Sequence, residues 1–115
     1  MEPYKSCVWA GHSGKTYSYI VHKLPISFTE NQDGNYIYCK LVENEWLPIY
    51  IGQGDLAGRI SDNHHKAKCI ANKGATHVHE HLNSKETDRL NEEKDILANY
   101  GQAFEPTGCN DKEGG

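Results

Sequence analysis

The chain has 115 residues, 37% of them hydrophobic and 24% charged, which predicts one globular domain rather than a disordered chain. No apolar run approaches the roughly 20 residues of a membrane span, and the first residues lack a signal-peptide pattern, so a membrane protein and a multidomain enzyme are excluded and a cytoplasmic location is expected. Lys and Arg total 12 against 16 Asp and Glu, and the net charge of −4 argues mildly against a nucleic-acid binder.

The first half of the chain predicts strands. Residues 16–21 are aromatic, β-branched or small and alternate in polarity, and a loop follows them. Residues 35–42 and 48–51 predict two further strands, which are close enough in sequence to pair as an antiparallel hairpin. Asp55 then begins a helix, whose weak apolar pattern continues to a stop at Gly74.

The second half predicts one more strand and the clearest helix. Residues 76–82 alternate, with Thr76, Val78, Glu80 and Leu82 on one face and His77, His79 and His81 on the other. Asn83 or Ser84 is expected to cap a helix that runs to about Asn99. The predicted order β-β-β-α-β-α indicates a small α+β domain with a mostly antiparallel sheet flanked by helices.

The basic residues are unevenly placed. Residues 59–73 contain one acid, Asp62, and four basic residues: Arg59, Lys66, Lys68 and Lys73. Most of the acids lie elsewhere, chiefly in residues 86–95. One face of an acidic molecule can therefore be basic, although a solvated helix of mixed charge would give the same pattern.

The four cysteines form no metal-binding motif. Cys7, Cys39, Cys69 and Cys109 are widely separated, and no CxxC or CxxxC pair exists. In the reducing compartment expected for this chain, four free thiols are predicted. Cys39 and Cys69 lie in apolar-patterned segments and are expected to be small core residues.

One acid of the last helix occupies an unusual position. If Leu90 marks the apolar stripe, Glu93 lies about 60° from it and faces the sheet, whereas Glu92 points to the far side, about 200° away. A charge that faces a sheet costs several kcal/mol unless it is paired or binds a metal. Arg59 or Arg89 would be the structural partner, and a divalent cation would be the functional one.

Five elements occur in an order that resembles the GIY-YIG endonuclease family. They are Gly34-Asn35-Tyr36, Tyr50-Ile51-Gly52, Arg59, Glu93 and the segment from Pro106 to Asn110. The first motif carries Asn35 where the family usually has Ile. The resemblance implies a β-β-α-β-α nuclease core over residues 34–110, with residues 1–33 as an extension that carries one strand and residues 111–115 as a flexible tail.

The resemblance also implies roles for the site residues. Glu93 would hold one Mg²⁺ or Mn²⁺ ion, a hard cation that suits a carboxylate and water. Arg59 would clamp the scissile phosphate with its planar guanidinium. Tyr36 or, as the second choice, Tyr50 would position or deprotonate the attacking water, which requires a nearby positive charge because the pKa of a free phenol is near 10.

A histidine and several substrate contacts complete the implied site. His64 keeps the family's usual distance from Tyr50 and would transfer a proton or bind phosphate, and His65 is its competitor. The implied substrate contacts are His65, Lys66, Lys68, Gly52 and Asn110. The expected function is metal-dependent hydrolysis of DNA, with specificity supplied by a homodimer or by a partner protein.

Two other functions fit parts of the sequence. A domain of the same fold could bind nucleic acid or another protein without cleaving anything. Alternatively, His77, His79 and His81 could bind a transition metal. Neighbours on one strand face are about 6.6 Å apart, so at most two of the three histidines could ligate one ion.

Overall fold

The computed structural model describes residues 5–111 and has an α+β architecture. One curled five-stranded antiparallel sheet has the strand order β1-β2-β5-β3-β4. The strands are β1 (Ser6–Ala10), β2 (Thr16–Lys23), β3 (Asp33–Val42), β4 (Glu45–Asp55) and β5 (His77–Leu82). The helices are α1 (Leu56–Arg59), α2 (Ala67–Asn72) and α3 (Glu86–Asn99), and a 3-10 turn (Gly101–Ala103) follows α3.

The sheet separates two apolar cores because its side chains alternate between the faces. On the α1/α2 face, Tyr36 and Tyr38 of β3 pack with Leu56 of α1 and Ile70 of α2. On the opposite α3 face, neighbouring residues of β3 pack instead against Ile96. Strand β3 lies between β5 and β4, so it contributes to both cores and fixes the positions of both.

The predicted strands are confirmed, with different bounds. The hairpin of β3 and β4 forms as expected, although β4 extends over 45–55 rather than 48–51. The prediction missed β1 and therefore counted one strand, not two, within residues 1–33. Val8 explains this miss, because its side chain is 60% exposed at the centre of β1 and obscures the apolar alternation.

The helix predicted to run from Asp55 to Gly74 is two short helices. Residues 60–66 separate α1 from α2. Asp55 precedes α1 without a side-chain capping bond among the described residues. The start of α1 is instead fixed by a backbone bond in which the Leu56 N–H donates to the Gln32 carbonyl at 2.9 Å.

The predicted cap and inward face of α3 were both wrong. The helix begins after Lys85, and Asn83 instead accepts a bond from the Lys85 backbone ahead of the first turn. Leu90 is 40% exposed, so it does not mark the buried stripe. Glu92, which was predicted to face away, is buried because Tyr19 and His81 on the α3 face both bond to its carboxylate.

The prediction of four free thiols was wrong. Cys69 of α2 is disulfide-bonded to Cys109, while Cys7 and Cys39 are free, and Cys39 is fully buried as expected. The spacing of the cysteines gave no pairing, because it does not reveal which segments the fold brings together.

Of the predicted flexible tail, residues 112–115 lie outside the described residues, whereas Asp111 is bound to Lys66. Within residues 5–111, no helix is long and apolar enough to cross a lipid bilayer.

Opening the disulfide should lower the free energy of unfolding by roughly 4 kcal/mol, because the bond closes a loop of 40 residues in the unfolded chain. Urea unfolding of Cys69→Ser should therefore show a clearly lower midpoint than the wild type. The matched control is Cys7→Ser, a free and half-buried thiol, for which a change within about 0.5 kcal/mol is expected. Equal midpoints for the two variants would contradict the prediction.

Candidate active site

The ring of Tyr36 lies directly over a glycine of the neighbouring strand. Tyr36 pairs with Gly52 in the register of β3 and β4, and it is 1% exposed. A Cβ added at Gly52 would lie 2.5 Å from the Tyr36 hydroxyl oxygen and 2.6 Å from Cζ. Gly52, predicted to contact substrate, is buried and provides the space that this ring occupies.

The hydroxyl group of Tyr36 forms a hydrogen bond with His64. The Tyr36 hydroxyl oxygen lies 2.8 Å from His64 Nε2, and the Lys66 backbone N–H donates to His64 Nδ1 at 2.9 Å. Because Nδ1 accepts a hydrogen bond, the single hydrogen of a neutral His64 is on Nε2 and is donated to Tyr36. Tyr50 completes an aromatic cluster, with its ring centroid 4.7 Å from that of His64.

Burial keeps all three side chains of this cluster uncharged. It lowers the pKa of His64 to about 4, and the nearby charges of His65 and Arg59 act in the same direction. Burial likewise raises the pKa of Tyr36 and of Tyr50 above that of a free phenol, although the charge of Arg59 opposes the shift in both. At neutral pH the cluster therefore consists of a neutral imidazole and two protonated phenols.

Arg59 and Glu93 border the cluster. Arg59 ends α1, is exposed, and lies so close to Gly54 that a Cβ there would be 3.0 Å from the arginine Nε. Glu93 is half-buried on α3; burial raises the pKa of its carboxyl and the charge of Arg59 opposes this rise. The charge of Glu93 also raises the pKa of Tyr36 and Tyr50. His64 contacts Tyr36 and Tyr50 directly, whereas Arg59 and Glu93 interact with the two tyrosines through charge.

A cleft of about 370 Å³ opens beside this cluster. Its walls include Arg59, Asn63, His64 and His65. His65 is exposed and stacks on His64 with ring centroids 4.7 Å apart, so of the two competing histidines His64 bonds to Tyr36 and His65 faces solvent. The exposed carboxylate of Asp55 lines the same cleft, and both ring nitrogens of His64 are bonded within the protein. Arg59 and His65, rather than His64, therefore offer hydrogen-bond donors to an anion.

The two lysines predicted to contact substrate, Lys66 and Lys68, differ in whether their charge is already compensated within the protein. The Lys66 ammonium lies 2.6 Å from an Asp111 carboxylate oxygen and 3.4 Å from one of Glu105, so its charge is largely compensated. Lys68 is exposed on α2. The Lys66 side chain therefore stabilises the fold by binding the C-terminal segment, and its backbone N–H orients His64.

Asn110 binds protein backbone. The Ile51 N–H donates to Asn110 Oδ1, and Asn110 Nδ2 donates to the Ile51 carbonyl, each at 2.9 Å. The side chain thus satisfies both backbone groups of Ile51, as a neighbouring strand would. Asn110 therefore holds the centre of the Tyr50-Ile51-Gly52 motif in place.

Arg89 was predicted as a partner of Glu93, but it binds elsewhere. Its Nε donates to Gln53 Oε1 at 3.0 Å, and its Nη1 donates to the Asn83 carbonyl at 3.0 Å. This buried guanidinium joins α3 to the end of β4, one helical turn before Glu93. Sequence reasoning missed this positioning role, because no local pattern links Arg89 to Gln53.

The three histidines of β5 belong to the packed α3 face. His79 is fully buried and accepts a hydrogen bond from the Trp9 indole N–H at 2.9 Å, and burial lowers its pKa to about 3. His81 Nδ1 lies 2.9 Å from the Glu92 carboxylate. Residues 5–111 contain no group of three or more His, Cys, Asp or Glu side chains arranged to hold a metal ion. These contacts favour a structural role for the histidine strand.

A hard divalent cation such as Mg²⁺ needs fewer protein ligands than a transition metal bound by a histidine cluster. Mg²⁺ usually keeps several waters and binds one or two carboxylates together with substrate phosphates. The carboxylate of Glu93 can supply one such ligand, and the charge of Arg59 favours its ionised form against the effect of burial. The residues present therefore fit Mg²⁺ or Mn²⁺ and do not fit a structural zinc site.

No protein-family model, curated protein or solved structure matches this chain. The resemblance to GIY-YIG endonucleases therefore rests on the motif residues of the sequence.

Gly52→Ala should displace the Tyr36 ring, because the new methyl group would overlap its hydroxyl end. Overpacking of this kind costs about 1–3 kcal/mol, measurable as a lower urea midpoint. The matched control is Gly101→Ala, where an added Cβ meets nothing within 4 Å and near-neutral stability is expected. A Gly52→Ala protein as stable as this control would show that the Tyr36 ring does not need the space.

His64 should remain neutral, with its hydrogen on Nε2, until the pH falls to about 4, as measured by ¹⁵N imidazole NMR. Arg59→Gln should raise this pKa by removing a neighbouring positive charge, whereas Arg59→Lys keeps the charge and should leave the pKa nearly unchanged.

The same shift predicts how stability depends on pH. The pKa of His64 in the folded state is below the ordinary 6.5, so the unfolded chain binds the proton more readily. The contribution of His64 to stability should therefore decrease as the pH falls from about 6.5 towards 4. A His64 that titrates near 6.5 in the folded protein would contradict both predictions.

Proposed function

We propose that this protein is a metal-dependent endonuclease that hydrolyses phosphodiester bonds in DNA. The observation that carries the proposal is the contact of two phenols with the imidazole of His64, which lines one cleft with the guanidinium of Arg59, while the half-buried carboxylate of Glu93 lies within electrostatic range. Phosphodiester hydrolysis needs a positioned water, stabilisation of charge on the phosphoryl oxygens and help for the leaving oxygen. Side chains suited to each of these tasks are present at this location.

Arg59 is the residue best placed to bind the scissile phosphate. It is exposed, whereas Arg89 is buried and already bound to Gln53. Its planar fork can donate two hydrogen bonds to phosphate oxygens, and the charge strengthens both. His65, exposed on the same cleft, can donate to a neighbouring oxygen of the backbone.

The different exposure of the two tyrosines separates their roles. Tyr36 is almost completely buried, and its hydroxyl receives the Nε2 hydrogen of His64. Tyr50 is half-buried, and the positive charges of Arg59 and Lys66 both lower the pKa of its phenol against the effect of burial. The charges of Glu93 and Asp111 raise the same pKa, so the choice rests on exposure: we favour the half-buried Tyr50 as the group that contacts the attacking water and assign Tyr36 the task of holding His64.

Glu93 would hold the divalent cation. When bound, Mg²⁺ or Mn²⁺ would supply charge stabilisation at the phosphoryl oxygens and would lower the pKa of water near the phosphate. The protein contributes the position of the carboxylate, which Arg89 fixes by joining α3 to β4. Arg59 lies within electrostatic range of Glu93, so the phosphate and the cation would share one neighbourhood.

The overall charge predicts weak binding to uninterrupted DNA. The chain carries −4, and the one lysine that borders the histidines is compensated by Asp111. Few phosphate contacts remain, so affinity should be low and should fall further with added salt. The alternative role, in which the domain binds nucleic acid and does not cleave it, requires tighter binding than this charge predicts.

Glu93→Gln should abolish nicking of supercoiled plasmid in Mg²⁺ or Mn²⁺, with a rate loss of at least about 100-fold, because loss of metal-dependent stabilisation costs several kcal/mol. The matched control is Glu86→Gln, an exposed position in the first turn of α3, which should cleave at nearly the wild-type rate. Equal nicking by both variants would remove Glu93 from the site. DNA binding by the wild type without cleavage in either metal would favour the non-catalytic role.

A further inference from the structure

A groove of about 830 Å³ lies between α3 and the C-terminal segment of residues 103–111. We infer that it binds one unpaired nucleotide next to the scissile phosphate, an inference that rests on the proposed function. Lys94 and Leu97 of α3 form one wall, and Phe104 and Asp111 form the other. The volume falls within the range of ligand pockets, roughly 300–1,000 Å³.

Both walls of the groove continue from the candidate active site. Leu97 follows Glu93 by four residues, so the two lie on one face of α3, and Lys94 is adjacent to Glu93 in the chain. On the other wall, Asp111 is close enough to Tyr50 for its charge to raise the pKa of that phenol. A strand of nucleic acid held at Arg59 and Glu93 can therefore place its next nucleotide in the groove.

The chemistry of the groove matches a nucleotide. Phe104 and Leu97 are half-buried and offer a ring and an apolar side chain, against which a base can stack. The exposed ammonium of Lys94 suits the attached phosphate. One Asp111 oxygen binds Lys66 at 2.6 Å, and the second remains to accept a hydrogen bond from a base amino group.

Occupancy of the groove would select the class of substrate. A base within an uninterrupted duplex must leave its stack to reach Phe104, whereas an unpaired base incurs much less of this cost. Stacking on an aromatic side chain then strengthens binding. The protein should therefore prefer DNA with an unpaired nucleotide at the cleavage position over continuous duplex, and this contact would offset its weak attraction for phosphates.

The test compares two DNA duplexes of one sequence, identical except for a single bulged nucleotide, by fluorescence polarisation with the wild-type chain in EDTA. The bulged DNA should bind about tenfold more tightly. Phe104→Leu keeps an apolar side chain without the ring and should lose most of this preference while binding continuous duplex as before. Leu97→Trp, which fills the groove from the other wall, should cause the same loss.

The matched control is Phe28→Leu, because Phe28 is the other phenylalanine of the chain and packs against His22 away from the groove. It should keep the full preference for the bulge. A 5-iodouracil placed in the bulge should crosslink to the segment that contains Phe104.

Three results would overturn the inference: equal affinity of the wild type for the two duplexes, undetectable binding to both at low salt, or unchanged preference in both groove variants. Plasmid nicking by the wild type is scored separately, because binding in EDTA requires no catalysis. Nicking without any preference for the bulge would reject the groove and keep the nuclease. Preference for the bulge without nicking would reject the nuclease and keep the groove as a nucleotide site.

Discussion

The candidate site depends on a steric requirement at position 52, where only glycine, which has no side chain, leaves space for the Tyr36 ring. This space lets the ring of Tyr36 cross the adjacent strand, so that the hydroxyl meets His64 at 2.8 Å on the far side. The register of β3 and β4 sets this crossing, because Tyr36 and Gly52 are direct partners. A shift of one residue would turn Tyr36 to the α3 face and leave His64 without its acceptor.

The C-terminal segment holds the two halves of the site together. Lys66 before α2, Cys69 within it and Lys73 after it contact Asp111, Cys109 and Pro106, respectively. The same segment binds both backbone groups of Ile51 through Asn110. It therefore links the loop that carries His64 to the strand that carries Tyr50. This arrangement explains how a domain with short, weakly patterned helices can still hold a defined cleft.

The adjacent acids Glu92 and Glu93 of α3 differ in burial and in the contacts of their carboxylates. Glu92 is buried and fully engaged, since Tyr19 donates to its carboxylate and His81 lies 2.9 Å away, so it connects the helix to the sheet. Glu93 is only half-buried, and Arg59 interacts with it through charge. Glu92, with its bound partners, stabilises the fold, whereas Glu93 is the carboxylate to which the proposed function assigns the cation.

Local patterns in the sequence determined the hairpin of β3 and β4, the alternation of β5 and the existence of α3, because side-chain period and turn chemistry act over a few residues. They also identified the five candidate catalytic residues, through the order of their motifs. Tertiary structure alone decided that Cys69 pairs with Cys109, that Glu92 rather than Leu90 faces the sheet, and that Tyr36 is more deeply buried than Tyr50. Each of these outcomes depends on contacts between distant segments, and a distant partner can bury a polar residue or pair a thiol without leaving any local pattern.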